Sequence, residues 1–151
     1  MQMTPQQTRS EAGLATALRI SVSRLARRLR AERYTKGLEP GLSDTQLAAL
    51  AALERHGQMT PGELADHEKV QPPSMTRVIA VLEERGLVSR APHATDRRQV
   101  VLTVTDSGQA VVQQSRRLRE AWLAKRLHEL TPEERAILRA AAPILEKLSQ
   151  S

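Results

Sequence analysis

The sequence predicts a mainly α-helical chain with a small two- to three-stranded β-wing, and three features support this prediction. Helix-capping patterns recur at Ser43, Thr60 and Thr131. Two short runs rich in Val, Leu and Thr, at 87–90 and 99–104, are typical of strands. Aromatic residues are almost absent, so the core must be built from aliphatic side chains, which suits packed helices. The 151 residues are enough for one domain with a substantial core.

A long first helix is predicted from Glu11 to about residue 36. Its apolar residues recur at spacings of four and three, which puts them on one stripe of the helix. They are Leu14, Leu18, Val22, Leu25 and Leu29. Arginines occupy the other faces, and a Gly- and Pro-containing loop at 37–41 ends the helix. Residues 1–10 are polar and are expected to be frayed.

Three later helices begin with a capping box, in which a hydroxyl side chain and a Gln or Glu three residues on accept hydrogen bonds from each other's backbone amides. The pairs are Ser43 with Gln46, Thr60 with Glu63, and Thr131 with Glu134, and prolines stand at the first helical position in the last two. They predict helices of about 43–56, 60–68 and 131–148. Pro143 lies inside the last of these and is expected to kink it.

The run from Pro72 to Gly108 contains a helix, a strand, a loop, a second strand and the start of another helix. Its first helix ends at Gly86 and has a buried stripe of Val78, Ile79 and Leu82. The strands flank a polar hairpin loop, APHATDRR, and Thr105 or Asp106 then caps a helix through about His128. With the short helix at 60–68 and a tight turn at 69–71, this order predicts a winged helix-turn-helix lobe.

The second helix of a helix-turn-helix enters the major groove of DNA, and its N-terminal residues meet base edges. That end of the helix predicts a DNA-reading set made of Gln71, Pro73, Ser74, Met75, Thr76 and Arg77. Gln pairs with adenine and Arg with guanine, whereas Met75 has two interpretations, contact with a thymine methyl or packing inside. Thr60 is expected to contact a phosphate at the preceding helix start. The alternative for the whole set is an ordinary solvated helix start.

The hairpin loop carries more charge than a turn requires, because Arg97 and Arg98 are adjacent. Such arginines can enter the minor groove of A·T-rich DNA, where negative potential is concentrated. We expect Asp96 to hold one of them by a charge-assisted hydrogen bond, because phosphate would repel an outward carboxylate. His93 and Thr95 complete the predicted DNA-contacting wing. A solvated, salt-bridged hairpin is the alternative.

Composition favours an acidic partner and a soluble, cytoplasmic chain. The net charge of +6 suits nucleic acid or an anionic membrane surface. The absence of Cys excludes disulfides, thiol redox chemistry and Cys-based zinc sites. No stretch approaches the roughly 18 apolar residues of a membrane span, and the polar N-terminus is no signal peptide. The scarcity of aromatic residues disfavours stacking of single-stranded nucleic acid.

No enzyme motif is present. The chain has no Gly-rich phosphate loop, no HExxH and no GxSxG, so neither a catalytic residue nor a cofactor is predicted. The chain has four histidines, His56, His67, His93 and His128. Their spacing is not that of metal ligands, so no metal site is predicted. One alternative stays open, a metal site made of His67 with Asp66 and Glu68.

The segment from Glu63 to Gly108 resembles the multiple-antibiotic-resistance regulator (MarR) family. The likeness rests on the wing Asp96-Arg97-Arg98, on Glu83–Val88, and on Leu102–Gly108. The last of these is the strand exit, where the second strand ends and the next helix begins, and its Thr105 and Gly108 stand at the family's positions. The family often has Leu-Gly-Val-Ser before the recognition helix, whereas this chain has Glu68-Lys69-Val70-Gln71. The missing glycine leaves the turn geometry and the role of Gln71 open.

The resemblance implies one MarR-type chain over 1–151, with dimerisation helices at about 11–36 and 109–149 and the winged lobe at about 43–105. It implies a homodimer that binds double-stranded DNA at a pseudopalindrome, as a sequence-specific transcriptional regulator and a ligand-responsive repressor. A small aromatic or lipophilic effector would bind between platform and lobe, at residues that stay unknown. Two alternatives remain: an architectural nucleic-acid-binding protein without sequence preference, and a membrane-surface role for the first helix.

Overall fold

The computed structural model describes residues 9–35 and 41–150, and all of their side chains except those of 33–35. The predicted polar start at 1–8 and the predicted loop residues 36–40 lie outside this part of the chain. Within it, six helices and two strands follow one another in the predicted order. They are α1 Glu11–Thr35, α2 Asp44–His56, α3 Pro61–Glu68, α4 Pro72–Glu84, β1 Val88–Pro92, β2 Val100–Val104, α5 Asp106–His128 and α6 Pro132–Ser149.

All three predicted capping boxes are formed. Ser43, Thr60 and Thr131 are the N-caps of α2, α3 and α6, and each box closes with two reciprocal hydrogen bonds of 2.8 to 3.2 Å. Local chemistry therefore sets where these helices begin, because each box satisfies two amides that would otherwise lack partners. Helix α6 continues through Pro143 without a break, and the kink predicted there stays a prediction.

The sheet is a two-stranded antiparallel hairpin in which Arg90 pairs with Leu102. A single bridge from Met59 to Leu102 adds the beginning of a third strand. Strand β1 runs from Val88 to Pro92 and not from residue 87 to 90 as predicted, because Ala91 and Pro92 pair with Val101 and Val100. The loop at the wing tip is correspondingly shorter than the predicted APHATDRR.

The described residues divide into two compact units. The winged-helix unit spans Arg33–Arg117, and the helical unit combines the described residues up to Glu32 with those from Leu118 onward. The winged-helix unit has an aliphatic core, in which Leu50, Leu64, Ile79, Leu82 and Leu102 are at most 1% exposed. The predicted stripe of α4 lies in this core, because Val78, Ile79 and Leu82 are all buried.

Two arginines of the helical unit lie close to Trp122. The guanidinium of Arg28 lies 5.1 Å from the indole centroid, and that of Arg126 lies 5.7 Å from it. Both distances suit cation–π contacts. Arg135 donates hydrogen bonds to the carbonyls of Leu127 and Leu130, which ties the start of α6 to the end of α5. No helix in the described ranges is long and apolar enough to cross a membrane.

Candidate DNA-binding surface

Helix α3, a short turn and helix α4 form the predicted helix-turn-helix. The turn is made at Lys69, which takes a left-handed backbone conformation with φ 53° and ψ 43°. Its amide donates to the carbonyls of Ala65 and Asp66, and Val70 N–H donates to Ala65 at 2.9 Å. The turn therefore keeps its hydrogen bonds although lysine occupies the position where the resemblance expects glycine.

The start of α4 presents most of its predicted DNA-reading residues to solvent. Gln71, Pro73, Ser74, Thr76 and Arg77 are exposed. Gln71 is the N-cap of α4 but makes no side-chain capping hydrogen bond, so its amide group is available for a base edge. The hydroxyl of Thr76 donates to the carbonyl of Pro72 at 3.0 Å, which leaves its oxygen as an acceptor.

Met75 is a correction to the predicted set. Its side chain is 1% exposed and belongs to the core of the winged-helix unit. Residues three and four positions apart share one face of a helix, so Met75 lies with Val78 and Ile79 on the inner stripe of α4. Of its two interpretations, packing inside is the one that the structure shows.

Thr60 uses its local hydrogen bonds for capping. Its hydroxyl oxygen accepts from Glu63 N–H at 3.2 Å, and its own backbone amide donates to the Glu63 carboxylate at 2.8 Å. Only the hydroxyl proton is left to reach a phosphate. The phosphate contact predicted at Thr60 stays a prediction.

Asp96 in the wing pairs with one of the two exposed arginines and not with the other. Asp96 Oδ1 accepts from the backbone N–H of Arg98 at 3.1 Å and from its Nε at 3.2 Å. The Arg98 side chain nevertheless stays 92% exposed, so its guanidinium is held by Asp96 at Nε while the rest of the group faces solvent. Asp96 thus acts as predicted on one of the two arginines. Arg97 is also exposed, without an ion pair to any described residue.

His93 organises the wing turn from within. Its Nδ1 accepts from the backbone amides of Thr95 and Asp96, each at 3.2 Å. The backbone N–H of His93 donates to the backbone carbonyl of Gln99 across the hairpin at 3.0 Å. These bonds bring Asp96 into position beside Arg98, a role that sequence reasoning did not assign to this histidine.

Arg90 links the wing to the recognition helix. Its Nε donates to the Glu83 carboxylate at 3.0 Å, and its Nη2 lies against the same oxygen. Glu83 is on α4 and Arg90 on β1, so the pair couples two parts of the candidate surface. Sequence reasoning missed this pair because its two residues lie seven positions apart on different elements.

The structure also brings together two histidines that spacing along the chain did not connect. The Nε2 atoms of His56 and His67 are 3.1 Å apart. Glu68 of the alternative metal site lies 3.9 Å from His67, measured from Oε1 to Nδ1. In the parts of the chain that the structure describes, no three His, Cys, Asp or Glu side chains are grouped so that they could share a metal ion.

Comparison with known proteins places this geometry in a family. The MarR family profile matches residues 42–100. The chain is 49% identical over 136 residues to the uncharacterized HTH-type transcriptional regulator Mb0904 of Mycobacterium bovis, with 90% of this chain and 92% of that protein covered. The chain belongs to the MarR family. It is a DNA-binding transcriptional regulator, as the exposed start of α4 and the arginine wing lead one to expect.

Two further MarR relatives extend the comparison. The HTH-type transcriptional repressor MdtR of Bacillus subtilis is 30% identical, over 91% of this chain and 87% of that protein. A solved structure of a MarR family protein from Bacillus stearothermophilus has a TM-score of 0.78 at 22% identity, covering 99% of this chain and all of the other. This likeness shows that the fold is the mainly helical fold with a two-stranded wing that the sequence predicts.

The MarR-type strand exit is built around Thr105 and Gly108. The Thr105 hydroxyl donates to the carbonyl of Gly86 at 2.7 Å and accepts from Gly108 N–H at 3.1 Å. A Cβ at Gly108 would come 2.2 Å from the Leu87 carbonyl oxygen, so only glycine fits. Thr105 and Gly108, the residues shared with the family, therefore connect the end of α4, the end of β2 and the start of α5.

Proposed function

We propose that this protein is a repressor that acts in the cytoplasm as a homodimer on a pseudopalindromic operator. The observation that supports it most is the pair of solvent-facing elements on one winged-helix unit. The start of α4 suits base edges in a major groove, and Arg98, held by Asp96, suits an adjacent minor groove. The repressor role is supported by likeness to MdtR, which is named a repressor.

The dimer is supported by apolar surface on the helical unit. Helices α1 and α6 expose large aliphatic side chains that a single chain leaves in solvent. They are Leu14, Val22, Leu25, Ile137, Leu138, Ile144, Leu145 and Leu148. A two-fold axis would present two recognition helices to half-sites about 10 base pairs apart, or a multiple of that spacing.

An effector is part of the proposal because the resemblance implies one. A small aromatic or lipophilic ligand would weaken DNA binding if it bound better to the arrangement that does not fit the operator. Trp122, the one tryptophan of the chain, lies beside Arg28 and Arg126 and provides an intrinsic fluorophore for a ligand screen. The effector's residues stay unassigned.

A binding titration tests the DNA-reading part of the proposal. The DNA would be the region upstream of the protein's own gene, with a shuffled duplex of equal length as the control, at about 150 mM salt because phosphate contacts dominate at low salt. We expect a preference above roughly 1,000-fold for an operator. Selection from random duplexes would follow if the upstream region gave no preference. Near-equal binding to every duplex after selection would support the architectural alternative and contradict the proposal.

A further inference from the structure

His56 and His67 meet edge to edge at the ends of two helices. His56 is the last residue of α2, and His67 lies in the last turn of α3, the first helix of the helix-turn-helix. Their Nε2 atoms are 3.1 Å apart, whereas the ring centroids are 4.6 Å apart with an angle of 57° between the planes. The rings are therefore not stacked in parallel, and their nitrogen edges approach each other.

This nitrogen separation matches two ligands of one metal ion. Imidazole nitrogens bind Zn²⁺ at about 2.0–2.1 Å, so two of them on one ion lie about 2.9 Å apart at a right angle and about 3.3 Å apart in a tetrahedron. The observed 3.1 Å falls between these values. Without metal, one Nε2 must carry a proton and donate it to the other. An ion would take the place of that proton, and the donor ring would carry its proton on Nδ1 instead, so that both imidazoles bind as neutral ligands.

The surroundings of the pair also suit an ion. The Glu68 carboxylate lies 3.9 Å from His67 Nδ1, on the ring nitrogen that faces away from His56. This distance is too long for a hydrogen bond, but the negative charge on this side of the ring attracts a proton to Nδ1, which leaves Nε2 free to bind metal. The side chain of His67 is 40% exposed, so water can reach the pair and complete the coordination.

We propose that His56 and His67 form a binding site for one divalent transition-metal ion that prefers imidazole, such as Cu²⁺, Zn²⁺ or Ni²⁺. The protein supplies two nitrogen ligands and water supplies the rest. Glu68 is a positioning residue that orients His67. A bound ion joins the end of α2 to the end of α3, next to the turn at Lys69, and so stabilises the winged-helix unit through binding to the folded state.

The test is a Cu²⁺ titration of the full chain without a purification tag, followed by calorimetry and by electron paramagnetic resonance. We expect one saturable site per chain with nitrogen coupling from two imidazoles. The variants His56→Gln and His67→Gln should each lower the affinity at least about 10-fold and lose that two-nitrogen signal. Glu68→Gln should lower the affinity less than either histidine variant does, by at most about 10-fold, the lower end of the range typical of groups that orient a ligand.

His128→Gln serves as the matched control, because His128 lies in the helical unit at the end of α5. It should leave the affinity and the spectrum unchanged. Circular dichroism checks that each variant is folded. We expect folded variants, because His56 and His67 are both exposed. Zn²⁺ should raise the melting temperature of the parent chain and not that of His67→Gln. Unchanged binding in both His56→Gln and His67→Gln, or no saturable binding up to about 1 mM Cu²⁺, would overturn the proposal. The two histidines would then be a hydrogen-bonded pair only.

Discussion

Lys69 adopts a backbone conformation that costs a residue with a side chain about 1–2 kcal/mol. It nevertheless closes the turn between α3 and α4, since its amide and that of Val70 both find carbonyl partners at the end of α3. The strain at this one residue is therefore offset by tertiary packing of the two helices it joins, whose buried side chains share one core.

Lys69→Gly should raise the free energy of unfolding by about 0.5–1 kcal/mol, because glycine removes the steric penalty while losing some backbone entropy. Urea denaturation at fixed protein concentration measures the change as a higher midpoint with an unaltered slope. Lys69→Ala is the matched control, because it removes the charge and keeps Cβ. An equal gain in both variants would mean that charge, and not backbone strain, is the cause.

Arg77 is exposed on the second turn of α4, at the end that faces a major groove in the proposed mode. Arg77→Ala should weaken operator binding by about 1–3 kcal/mol and relax the preference at one base position, because a bidentate contact to guanine is lost. Titrations against operators with single base changes measure this. If the variant lost as much affinity for random DNA as for the operator, Arg77 would be a phosphate contact.

The two wing arginines should differ in effect. Arg98→Ala should weaken binding mainly at operators with A·T-rich flanks, because Asp96 holds Arg98 at its backbone N–H and at Nε, so the side chain needs little ordering on binding. Arg97→Ala, without such support, should change affinity less and with little dependence on the flanks. Paired titrations on A·T- and G·C-flanked operators compare the two variants. Equal sensitivity of Arg98→Ala to both flanks would remove the minor-groove role.

Among the elements, the strand exit into α5 has the tightest steric requirement. Gly108 is buried where α5 begins, and Thr105 bonds to it and to Gly86 at the end of α4. Arg116 on α5 also pairs with Glu54 on α2 at 3.0 Å within the same unit. These contacts make the first part of α5 a member of the winged-helix unit.

Gly108→Ala should destabilise the winged-helix unit by about 2–4 kcal/mol, because its Cβ would meet the Leu87 carbonyl oxygen at 2.2 Å and the backbone has to shift. Thermal unfolding followed by circular dichroism measures the loss. Gly62→Ala on α3 is the control, since the nearest atom to its Cβ is 4.0 Å away. It should be neutral or stabilising by up to about 1 kcal/mol. A similar loss in both variants would contradict the steric explanation.

For the whole molecule, the exposed apolar side chains of α1 and α6 indicate where a second copy would bind. Ile137 is 67% exposed and Ile144 is 62% exposed, and they lie seven residues apart on one face of α6. Exposure of such a continuous apolar face to water is unfavourable, and its burial between two chains lowers the free energy through the hydrophobic effect.

Ile144→Glu should shift the protein from dimer to monomer at micromolar concentration, because a carboxylate would be buried in the interface without a partner. Sedimentation velocity measures the change. Arg139→Glu is the control, since helical periodicity places Arg139 on the other side of α6. A dimer that persists in Ile144→Glu, or that is lost equally in Arg139→Glu, would place the interface elsewhere.

Most of the fold follows from local chemistry in the sequence. Capping boxes at Ser43, Thr60 and Thr131 set three helix starts, since each is closed by residues three positions apart. The strand-rich runs and the charged loop predict the wing, and its Asp96–Arg98 contact spans only two residues. Short-range hydrogen bonds of this kind need no knowledge of the rest of the chain.

The inward position of Met75, the strained turn at Lys69, the Arg90–Glu83 pair and the meeting of His56 with His67 needed the tertiary structure. Each depends on how elements pack and on groups distant in sequence. Helical spacing put Met75 near both the inner stripe and the DNA-reading end, and only packing chose between them. The sequence alone thus determined the elements and the chemistry they carry, while the packed core decided which side chains face solvent and which pairs meet, because burial and long-range contacts are properties of the assembled fold.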